Sequence, residues 1–169
     1  ADGPRPIPPP RRLPIPTPKP GATLRFVRDE LAREQAPPAL LAALHAKRVG
    51  PVRAELMQIT SELFDLLARN RRRVKLADRA ALDWPELADL WFSDTRGGLI
   101  QLLAGYLEDR IRRHRIRPVP DTAVAARFLL ESAVTWAVHR HWDPHPQLVD
   151  EPTAKATVVR FIVDALAKE

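Results

Sequence analysis

The chain contains no cysteine in its 169 residues, which removes disulfides, thiolate metal ligands and a cysteine nucleophile together. Glycine is scarce, at six residues, and none of them forms the strand-linked glycine loop that cradles a phosphate. No apolar run approaches the ~20 residues of a membrane-spanning helix, and the N-terminus has no apolar signal core. A soluble, cytoplasmic protein with no membrane partner is the expectation. Acid is the minority charge: 21 Asp and Glu against 27 Lys and Arg leave a net +6. Half of that excess sits in the tail before residue 21, where Arg5, Arg11, Arg12 and Lys19 face Asp2 alone.

Proline is plentiful but local, with nine of the eighteen prolines in residues 1–20. Proline lacks an amide donor and biases its predecessor away from helix, so 1–21 reads as a basic polyproline-II arm or linker. Pro6-x-x-Pro9-x-Arg11 fits a proline-groove ligand pattern, although any proline-dense basic stretch generates such patterns.

From residue 22 to the end the pattern is helical. Leu24, Val27 and Leu31 share one face of a first helix over 22–35, and Pro37-Pro38 starts a short second one that ends at Gly50-Pro51. The stretch 51–72 carries two apolar faces, with Glu55, Gln58, Glu62, Asp65 and Arg69 on the wet side. It closes in R-N-R-R-R-V-K, a run that suits the negative end of the helix dipole. Pro85 opens a short helix with Trp91 and Phe92, capped by Asp83, and Ser93 or Asp94 caps the next, over 95–115. There Leu99, Leu103, Leu107 and Ile111 form the buried row. Gly98 and Gly105 share a side on which a neighbouring backbone can approach, and the basic end from Arg110 reads as exposed.

The stretch 121–142 organises the rest. Asp121 stands at the capping position, and Arg127, Glu131, Thr135 and His139 fall on one i,i+4 row. Nearly everything else is apolar: Val124 and Phe128 point one way, Ala126, Leu130, Ala133 and Ala137 another. Residues 152–167 likewise carry more apolar surface than one neighbour can cover, in Val158, Phe161, Ile162 and Ala165. A helix burying two faces lies at the centre of a domain or is shared with a partner. The fold class is therefore all-α, with a helical domain over 22–169.

The helix order, with R-G-G-L-I-Q-L-L-A-G-Y-L-E-D-R and then R-P-V-P-D-T leading into A-A-R-F-L-L-E-S-A-V, resembles the C-terminal regulatory domain of TetR/AcrR-type bacterial transcriptional regulators. The resemblance covers roughly 22–167. It implies a homodimer whose last two helices pack with their symmetry mates as a four-helix bundle, with Ala126, Leu130, Ala133, Ala137, Val158, Phe161, Ile162 and Ala165 at the interface. It also implies a cavity for a small apolar or amphipathic effector; by spacing, Met57, Ser61, Phe64, Trp91, Leu103, Tyr106 and Phe128 face it. Operator DNA would be bound only by a part not seen here, or the chain is a relative that has lost DNA binding, because the family's N-terminal helix-turn-helix has no counterpart in 1–50.

Two rivals are weighed against this. Enzyme chemistry would need convergent polar groups, and the one cluster is H-x-H-x-D-x-H over 139–145. His139 and His141 diverge by roughly 200° on a continuing helix, so a satisfied helix end is expected, with no metal, cofactor or catalytic residue. The other rival is a helical adaptor that recruits a partner through the proline arm.

Overall fold

In a computed structural model the described residues are 16–34 and 36–168, and these are all-helical; Pro6, Pro9 and Arg11 lie outside them. The chain divides into two units after Arg33. The first contains α1 (Ala22–Arg33), entered through Gly21 at φ +74°, a backbone conformation that side chains disfavour. No residue of α1 is buried.

The second unit holds α2 (Pro38–His45), α3 (Val52–Ala80), α4 (Pro85–Ala88), a π-helical stretch (Asp89–Gly97), α5 (Gly98–Arg112), α6 (Thr122–Ala137), a 3-10 turn (His139–Trp142) and α7 (Glu151–Leu166). No helix among the described residues is long and apolar enough to cross a membrane. Helix α6 packs against α3, α5 and α7. Its row of Ala126, Ala133 and Ala137 is completely inaccessible, and such small side chains let neighbouring helices approach closely. Aspartates start both of the last helices. Asp121 accepts from the Val124 amide at 2.8 Å and Asp150 from Thr153 at 2.9 Å, each satisfying an amide with no partner inside its helix.

Several expected boundaries move. Helix α3 runs on to Ala80, so the basic run 69–75 lies inside it and has no terminal dipole to neutralise. No helix starts at Ser93 or Asp94. The chain passes from α4 into α5 without a break by widening into π turns, where the Thr95 hydroxyl donates to the Leu90 carbonyl at 2.8 Å. Trp84, not Asp83, occupies the cap of α4 and contributes no side-chain bond. Gly98 and Gly105 face open space, with no neighbouring backbone against them. Helix α5 ends in a Schellman motif: His114 takes φ +57°, and the Arg115 and His114 amides donate back to Arg110 and Ile111 at 2.8 Å each.

The largest departure is Arg110. Read as part of an exposed basic end, it is 1% exposed. Its Nε and Nη2 donate to the two oxygens of Glu55 at 2.7 and 3.0 Å, and Nη2 also donates to the Ala43 carbonyl at 2.9 Å. Tyr106 donates to the same carboxylate at 2.9 Å, and its ring lies 4.9 Å from the guanidinium. Hydrogen bonding to Glu55 raises the Arg110 pKa. Burial, then the Glu55 charge, hold the Tyr106 hydroxyl far above its ordinary value. Glu55, expected on the wet side, is thus the acid that joins α2, α3 and α5.

Removing one member of such a pair leaves the other charged and desolvated. Arg110→Met is expected to cost about 3 kcal/mol, read from the urea midpoint. Thr60 offers the opposite case. It is fully buried and its hydroxyl has no partner, so the isosteric Thr60→Val is expected to be neutral or to stabilise by up to ~1 kcal/mol.

Candidate functional site

Helices α6 and α7 each bring one i,i+4 row to a common outer face: Val124 and Phe128 from α6, Phe161 and Ala165 from α7. Val124, Phe128 and Phe161 are 67, 62 and 68% exposed, far above what large apolar side chains accept in a filled core. With Val119 and Pro120 of the preceding turn they line an open groove of about 540 Å³ in which Asp121 is the sole charged residue. Its surroundings carry both signs. Arg127 and Glu131 pair at 3.6 Å on α6, and Arg160 and Asp164 at 3.5 Å on α7. Asp164 also accepts from Arg53 of α3, and that hydrogen bond, ahead of the Arg160 contact, holds its carboxyl below the usual carboxylate range.

Six of the eight interface candidates are covered by the chain itself, Ile162 at the base of the groove. Ala126, Leu130, Ala133, Ala137, Val158 and Ile162 are at most 5% exposed within the single chain, so they present no surface to a second copy in this conformation. Phe161 and Ala165 do, joined by Val124 and Phe128. Periodicity had separated the two sides of α6 but could not say which side the chain itself covers.

The effector candidates fall in three places. Phe64, Leu103, Tyr106 and Trp91 are core, from 0 to 9% exposed. The polar atoms of two of them are committed, Tyr106 to Glu55 and the Trp91 indole N–H to Asp78 at 2.7 Å. Met57 and Ser61 line a second open groove, of about 560 Å³, formed by Pro51 and the outer side of α3 alone. Phe128 belongs to the α6/α7 face.

The histidines also separate. Helix α6 ends at Ala137 and the 3-10 turn re-aims the side chains that follow. His139 Nε2 lies 3.8 Å from Asp78, while His141 Nε2 lies 2.9 Å from Arg71 Nη1 and 3.7 Å from Glu151. Among the described residues no three His, Asp or Glu side chains are placed to hold a metal. Comparison of the chain with protein-family models, curated proteins and solved structures found no match. Chemistry is therefore read from the residues alone.

A guanidinium only donates, so His141 Nε2 accepts from Arg71 and the imidazole proton sits on Nδ1. Arg71 also donates to Glu151, and Arg140 to the Val149 carbonyl, so these groups tie α3, the 138–150 connection and the start of α7 together. Burial first, then Arg71 and Arg140, push the His141 pKa below its usual 6.5, against a smaller opposing pull from Glu151.

A depressed histidine pKa means that the unfolded chain binds a proton which the folded chain resists. Stability is then complete above 6.5 and falls as pH drops through the window just below it. Urea midpoints measured between about pH 5 and 7 are expected to show this slope in the native protein and a flatter one in His141→Gln.

Proposed function

We propose that this chain is a regulatory domain that binds an effector and self-associates, of the kind found in TetR/AcrR-like transcriptional regulators. The observation that carries the proposal is the uncovered apolar face of Val124, Phe128, Phe161 and Ala165 on two adjacent helices. Large apolar side chains clustered on an outer face mark an interaction site, and a second copy is an occupant suited to it. Two-fold packing makes a face meet itself, and each helix here carries one cation and one anion beside its apolar row. Helices α6 and α7 of two copies then form a four-helix bundle. The helix order and the R-P-V-P-D-T junction support the same reading.

In this scheme the effector is a small apolar or amphipathic molecule that enters between α3 and α5, beside Phe64, Leu103 and Tyr106. Those side chains are fully packed, so entry requires the two helices to part where Glu55 and Arg110 hold them. A ligand that favours one of two dimer geometries shifts operator affinity through the DNA-binding part of the regulator.

The test is molecular mass in solution by sedimentation equilibrium. The native chain is expected at twice its 19.1 kDa, and Phe128→Glu and Phe161→Glu as monomers with unchanged helicity. Both positions are exposed, so a charge there leaves the core intact. Ala133→Glu is unsuitable, because it buries a charge within the chain. A native chain that is monomeric sinks the proposal and favours the adaptor that acts through residues 1–20.

A further inference from the structure

The basic run of α3 poses a problem that neither the helix dipole nor self-association solves. It lies within the helix, and its members are employed unequally. Arg71 serves Glu151 and His141, Arg73 pairs with Glu34 at 3.2 Å, and Lys75 stands over the Trp142 ring at 5.8 Å. Among the described residues the side chains of Arg69, Arg72 and Arg79 make no hydrogen bond, ion pair or ring contact, and all three residues are exposed. Their spacing puts them on one side of the helix over about 15 Å. Leu76 lies in the same row at 70% exposure, and Leu82 follows the helix end at 77%. Unrelieved like charges on one helix side disfavour the helix, each close pair by a few tenths of a kcal/mol.

We propose that the row of Arg69, Arg72, Leu76 and Arg79, with Leu82 beyond it, is a docking surface for an acidic amphipathic protein segment: a helix with carboxylates flanking apolar side chains. Charge and composition both select that occupant. The three guanidiniums offer paired donors matched to carboxylates, and the leucines between and beyond them require apolar atoms from the partner. A phosphate backbone supplies none. The row also lacks the aromatic platforms that stack bases and the amide side chains that read base edges. Two leucines are too narrow an apolar face for a helix to lie embedded in a lipid surface. The surface shares no residue with the α6/α7 face, so it stands whether or not the chain self-associates.

The experiment uses the full chain and four probes: a labelled designed helical peptide with leucines flanked by glutamates, polyglutamate, duplex DNA and phosphatidylserine vesicles. The designed peptide is expected to bind most tightly, and less so as salt is raised. Arg72→Glu/Arg79→Glu is expected to weaken it by about tenfold or more, and Leu76→Ser by a few-fold. Arg48→Glu/Lys168→Glu, which changes the net charge equally at exposed positions elsewhere, is expected to leave binding unchanged. Circular dichroism checks that every variant remains folded. Equal binding by the native chain and the Arg72/Arg79 variant overturns the proposal. So does polyglutamate binding as tightly as the designed peptide, because the leucines then contribute nothing. DNA or vesicles bound more tightly than the peptide, and lost in the same variant, assign the surface to that partner instead.

Discussion

The carboxylate of Glu55 is the point through which the helical unit is tied together. It accepts from Arg110 twice and from Tyr106 once, while Arg110 reaches past it to the carbonyl of Ala43. One acid on α3 thereby fixes α5 and, through the shared guanidinium, the last turn of α2. Hydrophobic burial alone brings amphipathic helices together but leaves their register loose, because apolar contacts have no direction. A two-pronged guanidinium–carboxylate pair has direction and distance, and burial makes a misplaced partner costly. Leu107 and Leu103, one and two turns before Arg110, are then drawn into the core with it.

From that fixed corner the asymmetry of α6 follows. Its Ala126, Leu130, Ala133 and Ala137 row is spent on its own chain, against helices whose positions are already set. The opposite row is therefore left largely uncovered by the chain, and so are Phe161 and Ala165 on α7. The two uncovered rows lie side by side because α6 and α7 pack together, with their connection anchored to α3 through Arg71, His141 and Glu151. The opposite end of α7 is held as well: the Arg117 amide donates to the Leu166 carbonyl at 2.8 Å beside a lone bridge from Ile116 to Ala167. An apolar face on a helix pair restrained at both ends is preformed, and a preformed face loses little entropy when something binds it.

The sequence was most informative where local chemistry dominates. Asp121 as a cap, the central place of the stretch 121–142 and the all-helical class all follow from residues a few positions apart, although the helix itself stops at Ala137. It was least informative where a residue's meaning depends on a distant partner. Arg110 stands in R-I-R-R-H-R among arginines that are exposed, and nothing nearby sets it apart. Its burial is decided by Glu55, fifty-five residues earlier. The end of α3 was misplaced for a related reason: a basic cluster is a valid stop signal, yet the buried Val74 keeps the helix against the core beyond it. The π turns leave no periodic signature, since they shift the apolar rows by one residue in the middle of a continuous helix. The α6/α7 face was half legible: spacing found both apolar sides, but choosing the outer one required knowing which side the chain covers.

The orphan hydroxyl of Thr60 and the committed hydroxyl of Tyr106 bear together on how firmly the core around α3 is closed. Thr60 is completely buried on α3 with no partner, in a row that also contains Leu56, Leu63 and Phe64. A buried polar group without a partner raises the free energy of the packed state and so lowers the cost of any state in which it gains one. Tyr106 works the other way, since parting α3 from α5 strips the Glu55 carboxylate of its phenol and its guanidinium at once. The closed arrangement is thus held by one dense polar junction and penalised at one site on the same helix.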